Sequence, residues 1–308
     1  MQASPLRIGT RGSPLALAQA REVQARLEAA HGKGTLAFEV KIYKTSGDRI
    51  QDRLLSEAGG KGLFTKELEE ALIASDIDIA VHSMKDMPTV LPEGLAIRCI
   101  LPREDVRDAF ISHKAGGFAD LKPGAVVATA SLRRQAQVRH MRPDLQVVGL
   151  RGNVETRLRK LEEGVADATL LACAGLRRLG LENRITSVIS TDDMLPACAQ
   201  GAVGIEMREA DTVIAEILAA INHQPSALVV ETERAFLRRL DGSCRTPIAG
   251  LAELKGSEMR FRGMILKPDG SVAHATERHV ASHEAVKAAV EAAEELLGRA
   301  GPDFLATA

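Results

Sequence analysis

Short runs of apolar, β-branched residues alternate along this chain with stretches whose apolar positions recur every three or four residues. The first pattern reads as sheet interior and the second as amphipathic helix. Strands are predicted at 6–10, 38–43 and 77–81, with helices at 15–30 and 65–74 between them. Pro14 falls in the first turn of the first helix, where its missing N–H is harmless. A similar order follows: strands at 125–129, 146–150 and 168–172, and helices from about 133 and at 155–163. The wording repeats locally as well. Glu67-Leu68-Glu69-Glu70 precedes Asp78-Ile79-Ala80-Val81, and Lys160-Leu161-Glu162-Glu163 precedes Asp167-Ala168-Thr169-Leu170. This is a weak internal repeat of a βαβαβ unit.

Two linkers, 101–105 and 190–200, separate the halves, and 201–207 reads as one more strand. A chain that crosses to a second α/β lobe and returns would use two such strands as a hinge. Past about residue 222 the pattern changes. A helix at 226–240 is followed by strands at 249–255, 259–266 and 271–280, a turn at Pro268-Asp269-Gly270, and a final helix at 283–299. The fold class expected is therefore α/β, with two periplasmic-binding-protein-like lobes joined by a two-strand hinge and a small α+β C-terminal domain. The domain bounds are 1–100 with 200–219, then 105–195, then 222–308.

Composition narrows the partners. The formal net charge is -1, so any anion binding must be local rather than a property of the whole molecule. Aromatic residues are 3% with no Trp, which argues against base-stacking platforms for nucleic acid. Apolar runs are too short for a membrane span and no signal peptide opens the chain, so a cytoplasmic location is expected. The four cysteines, Cys99, Cys173, Cys198 and Cys244, have no metal-ligand spacing, and no metal is expected. Cys99 and Cys173 lie in apolar runs and read as buried. Cys198 is ambiguous. Cys244 sits among small residues beside Arg245, where a thiolate would be favoured; a bystander thiol fits the spacing as well.

The chemistry gathers at strand ends, where open α/β sheets bind ligands. His82, Ser83, Lys85 and Asp86 crowd the end of the strand at 77–81. Alone, Lys85-Asp86 reads as a surface ion pair. Arg11, Arg133, Arg134, Arg151, Arg157 and Arg178 all fall at strand ends or in the turns after them, and Ser13, Thr129 and Ser131 stand at helix starts. Guanidinium groups and helix N-termini both favour carboxylates or phosphates. The set points to a ligand with several negative groups. Gly59-Gly60-Lys61-Gly62 lacks the spacing of a nucleotide phosphate loop, and a loop over the cleft fits it equally.

Together Thr10-Arg11-Gly12-Ser13-Pro14-Leu15-Ala16-Leu17, Gly59-Gly60-Lys61-Gly62-Leu63-Phe64, Val81-His82-Ser83-Met84-Lys85-Asp86, Ser131-Leu132-Arg133-Arg134, Leu150-Arg151-Gly152-Asn153-Val154, Ala174-Gly175-Leu176 and Cys244 with Pro247 resemble the porphobilinogen deaminase (hydroxymethylbilane synthase) family nearly end to end. The resemblance implies a monomeric, three-domain transferase of porphyrin and haem biosynthesis. Its partner is a small molecule, porphobilinogen, four of which are joined head to tail with loss of ammonia. It implies a covalent dipyrromethane cofactor on Cys244 through a thioether, and Asp86 as the catalytic carboxylate. Arg11, Ser13, Lys85, Thr129, Ser131, Arg133, Arg134, Arg151, Arg157 and Arg178 correspond to cofactor- and substrate-binding positions. Gln19, Ser83 and Gln200 fit the cleft lining, and Lys61 and Phe64 fit the active-site loop. Gly12, Ala130 and Ser243 depart from the family pattern without removing a group the chemistry needs. No nucleic acid or membrane partner is implied.

Overall fold

The computed structural model describes residues 5–49, 62–241, 246–301 and 304. They form two units, 1–104 with 201–228 and 105–200 with 229–308.

In the first unit β1 (Leu6–Arg11) leads through Ser13 into α1 (Pro14–His31). The Ser13 side chain accepts from the Ala16 N–H at 3.3 Å, satisfying one of the donors every helix start leaves open. Ala16, Gln19, Ala20, Val23 and Leu27 form the buried stripe of α1, a spacing of three and four that faces the sheet. β2 (Phe38–Tyr43) occupies the expected span, followed by the short α2 (Ser46–Arg49) and by α3 (Lys66–Ile73). β3 (Ile79–Ser83) starts two residues later than the apolar run and carries the strand through His82 and Ser83. β4 (Leu95–Ile100) follows.

The second unit contains β5 (Asp108–Ser112), β6 (Val126–Ala128), α4 (Leu132–Met141), β7 (Gln146–Val148), α5 (Val154–Glu162), β8 (Ala168–Ala172), α6 (Cys173–Arg178) and the two-residue β9 (Ser187–Val188). The chain then supplies β10 (Val203–Arg208) and α7 (Thr212–Ala219) to the first unit.

The internal repeat is visible as topology. One sheet runs β2-β1-β3-β10-β4 and the other β7-β6-β8-β5-β9. In each, three parallel strands come from a βαβαβ segment, and the remaining two pairings are antiparallel. β10 and β5, next to the parallel trio, hold corresponding places. Their separate cores are apolar on both faces, as sandwiched parallel strands require.

After α8 (Gln224–Arg239) the chain forms an antiparallel sheet of β11 (Ile248–Lys255), β12 (Glu258–Leu266) and β13 (Ala273–Ala281), closed by α9 (Ala285–Ala300). α9 buries Ala285, Ala288, Ala289, Ala292, Ala293 and Leu296. Its small side chains let the helix lie close to β12 and β13. Phe236 and Phe261 meet edge to face at 5.0 Å, an arrangement that suits the ring quadrupoles.

The β12–β13 turn docks on α4. Gly270 has φ +75°, and a Cβ there would lie 2.6 Å from Arg139 Cβ, 2.7 Å from His140 N and 2.8 Å from Ala136 O. His140 Nδ1 also lies 2.9 Å from the Gly270 carbonyl oxygen. Left-handed backbone and a clash with main-chain atoms act together, so Gly270→Ala is expected to destabilise the protein by about 2–4 kcal/mol. Urea unfolding of the two proteins measures the difference.

Candidate functional site

Of the expected residues of the first unit, Arg11, Ser13, Gln19, Phe64, Ser83 and Asp86 converge, and Lys85 is not among the lining residues. A cavity of about 60 Å³ opens at the carboxyl ends of β1 and β3. That volume suits one or two waters or a single reacting group, not a whole multi-carboxylate ligand. Arg11, Ser13 and Gln19 line it from β1 and α1, Phe64 and Thr65 from the start of α3, and His82, Ser83 and Asp86 from β3 and the turn beyond it. Asp86 is the one carboxylate among these lining residues.

Local packing explains the placement. The residues after β3 form a single tight turn, Met84–Asp86. Its first residue is the anchor: Met84 is 2% exposed, and its N–H donates to the Ala202 carbonyl at 3.0 Å. Gly204 on β10 makes room for it, since a Cβ there would stand 2.1 Å from the Met84 sulfur. With Met84 held inward, Lys85 and Asp86 are left half-buried at the strand end. Gln19 Nε2 donates to Ser83 Oγ at 2.8 Å, tying α1 to β3. The Arg11 guanidinium lies 4.3 Å from the centre of the Phe64 ring, a cation–π contact. Phe64 in turn covers Gly47, where a Cβ would come within 2.2 Å of the ring.

In the second unit the expected residues surround two helix starts. Ser131 caps α4, and Thr129 is buried just after β6. Asn153 caps α5, whose Arg157 donates from Nε to the Gly152 carbonyl at 2.8 Å. Arg151 is half-buried at the entrance to α5, and Arg178 is half-buried at the last position of α6.

Arg133 and Arg134 are each 4% exposed and bound to a residue absent from the sequence reading. Asp108, at the start of β5, has no exposed surface. It accepts from Arg133 Nη2 at 2.8 Å, Arg134 Nη2 at 2.6 Å and Gln200 Nε2 at 2.9 Å. The Leu195 and Leu170 carbonyls accept from the other ends of the two guanidiniums. Burial on its own would push the Asp108 carboxyl up; the charges of Arg133 and Arg134, with hydrogen bonds from Arg134 and Gln200, outweigh it and hold the carboxyl well below the usual range. Two guanidiniums against one carboxylate leave an excess positive charge. Arg133 Nε and Arg151 Nη1 are buried donors without a hydrogen-bond partner among the described residues.

Cys99, Cys173 and Cys198 are buried. Burial pushes the Cys99 thiol up to about 12 and the Cys173 thiol up to about 11, so both are inert as nucleophiles near neutrality. Cys244 and Lys61 lie outside the described residues. Among the described residues no cluster of three or more His, Cys, Asp or Glu side chains is placed to hold a metal ion, and no single helix is long and apolar enough to cross a membrane.

Cations and hydroxyls at the strand ends and helix starts of each unit suit an α/β protein to negatively charged small molecules. The comparisons specify the family. A family model described as "Porphobilinogen deaminase, dipyromethane cofactor binding domain" matches residues 6–216, and one described as "Porphobilinogen deaminase, C-terminal domain" matches 227–298. The chain is 58% identical over 301 residues to the porphobilinogen deaminase of Paracoccus denitrificans, covering 98% of this chain and 96% of that protein. It is 56% identical to the chloroplastic porphobilinogen deaminase of Pisum sativum, covering 97% and 83%. Among solved structures, it is similar to a putative methionine-binding lipoprotein from Bacillus subtilis at 13% identity, with 72% of this chain and 92% of that one covered and a TM-score of 0.44. The chain belongs to the porphobilinogen deaminase family, and it is a transferase of tetrapyrrole synthesis that works with a dipyrromethane cofactor.

Asp108→Ala strands two buried guanidiniums and is expected to cost about 3–5 kcal/mol, read from thermal or urea unfolding. The sign of its pH dependence follows from a folded-state pKa below the unfolded one. The stabilisation from Asp108 is complete above the unfolded carboxyl value of about 4 and is lost only as pH falls through the lower folded value. The wild-type advantage over Asp108→Ala should therefore be flat from neutrality down to about pH 4 and shrink in stronger acid.

Proposed function

We propose that the chain joins four porphobilinogen molecules head to tail and, with one water consumed as the product is cut free, releases hydroxymethylbilane and four ammonia molecules, with the dipyrromethane held on Cys244 through a thioether. The observation that carries this reading is Asp86, the one carboxylate in a cavity otherwise walled by Arg11, the His82 imidazole, hydroxyls, an amide and apolar groups. Each porphobilinogen unit brings an acetate and a propionate, so a growing chain accumulates negative charge. Arg11, Lys85, Arg133, Arg134, Arg151, Arg157 and Arg178 would bind those groups, with Ser13, Thr129 and Ser131 adding hydrogen bonds at helix starts. Gln19, Ser83 and Gln200 would complete the lining, and Lys61 and Phe64 would belong to the loop over it.

The residues present fit the dipyrromethane. It carries carboxylates of the same kind, and the unmet donors on Arg133 and Arg151 suit an anion. When bound it supplies a free pyrrole α-carbon as the nucleophile on which the product grows. Cys244 fits as its anchor because the three described thiols are buried.

Asp86 would act at a defined moment. As the aminomethyl group of porphobilinogen leaves as ammonia, positive charge develops on the substrate's pyrrole nitrogen. A carboxylate fixed beside that nitrogen stabilises the charge. In this reading the enzyme is a cytoplasmic monomer; light scattering should give a mass near 33.0 kDa plus the cofactor.

Asp86→Asn is expected to keep the fold and lower kcat by about 10²-fold or more; near-normal turnover would remove Asp86 from its role. The intact mass of freshly purified protein should exceed the sequence mass by two linked pyrrole units. Cys244→Ser should lack that increment and unfold at lower temperature, because the bound anion no longer offsets repulsion among the arginines.

A further inference from the structure

A buried titratable cluster adjoins the Asp86 cavity, and the roles above leave it unused. His82 on β3 lines the cavity and is 5% exposed. Its Nε2 lies 3.0 Å from Oε2 of Glu206 on β10, whose side chain has no exposure. Glu69 on α3 is buried on the same side; burial pushes its carboxyl up, a Thr65 hydrogen bond opposes this, Glu206 adds to the rise and His82 lowers it. Oε1 of Glu206 and Oε1 of Glu69 are both buried without a partner among the described residues.

Stability does not call for this arrangement. The strands around it are apolar, with Ile79, Ala80 and Val81 on β3 and Val203, Ile205 and Met207 on β10 all buried. Burying ionisable groups with unmet oxygens is unfavourable compared with apolar side chains of the same volume. The pairing suits one tautomer: against an ionised Glu206, which only accepts, Nε2 carries the shared hydrogen and Nδ1 of the neutral ring holds the lone pair.

We propose that His82, held by Glu206, is the base that takes up the proton set free in the Asp86 cavity at each coupling. This rests on the coupling chemistry proposed above. In each round the C–N bond to the aminomethyl nitrogen breaks and ammonia departs. A C–C bond forms to the α-carbon of the terminal pyrrole. The C–H bond at that carbon then breaks, and its electron pair restores the aromatic ring. The proton goes to Nδ1 of His82 and on to the released ammonia, which leaves as ammonium. Asp86 is ill suited to the same task, since a protonated carboxyl no longer stabilises positive charge. His82 lies against Glu206 from β10, with Glu69 from α3 close to both, and shares the cavity lining with Asp86 from the turn after β3 and Arg11 from the end of β1; Lys85 stands in the same turn as Asp86. Glu206 is thus a positioning residue that acts through His82.

The test uses the holoenzyme with porphobilinogen, in wild-type, His82→Gln, Glu206→Gln and Asp86→Asn forms. His82→Gln should lower kcat by about 10²-fold with KM little changed, and remove the histidine limb of the kcat–pH profile. Glu206→Gln keeps an acceptor for Nε2 but loses the charge, so kcat should fall less and the limb should move to lower pH. Nitrogen-15 spectra of histidine-labelled protein give a readout independent of turnover. They should place the neutral-ring proton on Nε2 and show the ring titrating at lower pH in Glu206→Gln. Wild-type kcat and pH profile in His82→Gln would overturn the proposal. So would a neutral-ring proton on Nδ1, or a loss of activity whose pH profile is unchanged. If His82→Gln does not fold, Glu206→Gln and the spectra decide. Full activity in Asp86→Asn would sink the Asp86 role instead, and leave the His82 result standing.

Discussion

The parallel pairing of β1 with β3 is the constraint from which the site follows. Ile8 faces Ile79 and Gly9 faces Ala80, so the two strands end at the same edge of the sheet. β1 ends in Arg11 and β3 runs out through Ser83 to Asp86, which brings together a cation and an acid from distant parts of the sequence. α1 begins at that edge as well, adding Ser13 and the open amides of its first turn. The pairing depends on close packing at Gly9, where a Cβ would sit 2.3 Å from Ile77 Cδ1 and 3.0 Å from Leu68 Cδ2. A side chain there would require Ile77 and Leu68 to shift.

The second sheet repeats the topology but handles charge differently. Its antiparallel strand β5 carries Asp108, and the corresponding strand β10 of the first sheet carries Glu206; both acids are fully buried. Asp108 is met by two guanidiniums and an amide, Glu206 by one imidazole. An arginine stays charged at any working pH, so the Asp108 cluster is a fixed cationic centre with one positive charge in excess. The Glu206 cluster has no such fixed cation, since its partner is the His82 imidazole.

Much of this was legible in the sequence. β2 and β8 occupy the spans expected from their apolar runs, and the repeated βαβαβ order appears as two sheets of the same strand order. Those features rest on local periodicity, which the chain displays directly. Arg11, Ser83 and Asp86 were legible at strand ends, where α/β sheets bind ligands, Ser13 at a helix start, and Gln19 only through the family resemblance. Asp108 and Glu206 were not. A single acid in a strand reads as a solvent-facing position, and only the partner reveals otherwise. His82 and Glu206 are 124 residues apart, Asp108 and Arg134 26. The ligand-facing reading of Arg133 and Arg134 likewise missed the carboxylate that holds them, although charge in excess of that carboxylate is still available to an anion.

A reaction that repeats four times at one site sets a further requirement: the site must return to the same charge state after each round. Groups that titrate while binding the ligand would change the ligand's grip with each proton that moves. Arginines avoid this because their charge is constant. The protons released by successive couplings must then pass through a small set of groups that can recover, lying next to the reacting atoms yet separate from the contacts that hold the chain. In the proposed reaction Asp86 faces the developing positive charge. His82 lines the same cavity, with a fully buried carboxylate behind it. Arginines that bind and a recessed imidazole pair that exchanges protons, as proposed here, would give the division of charge that a processive condensation of anionic units demands.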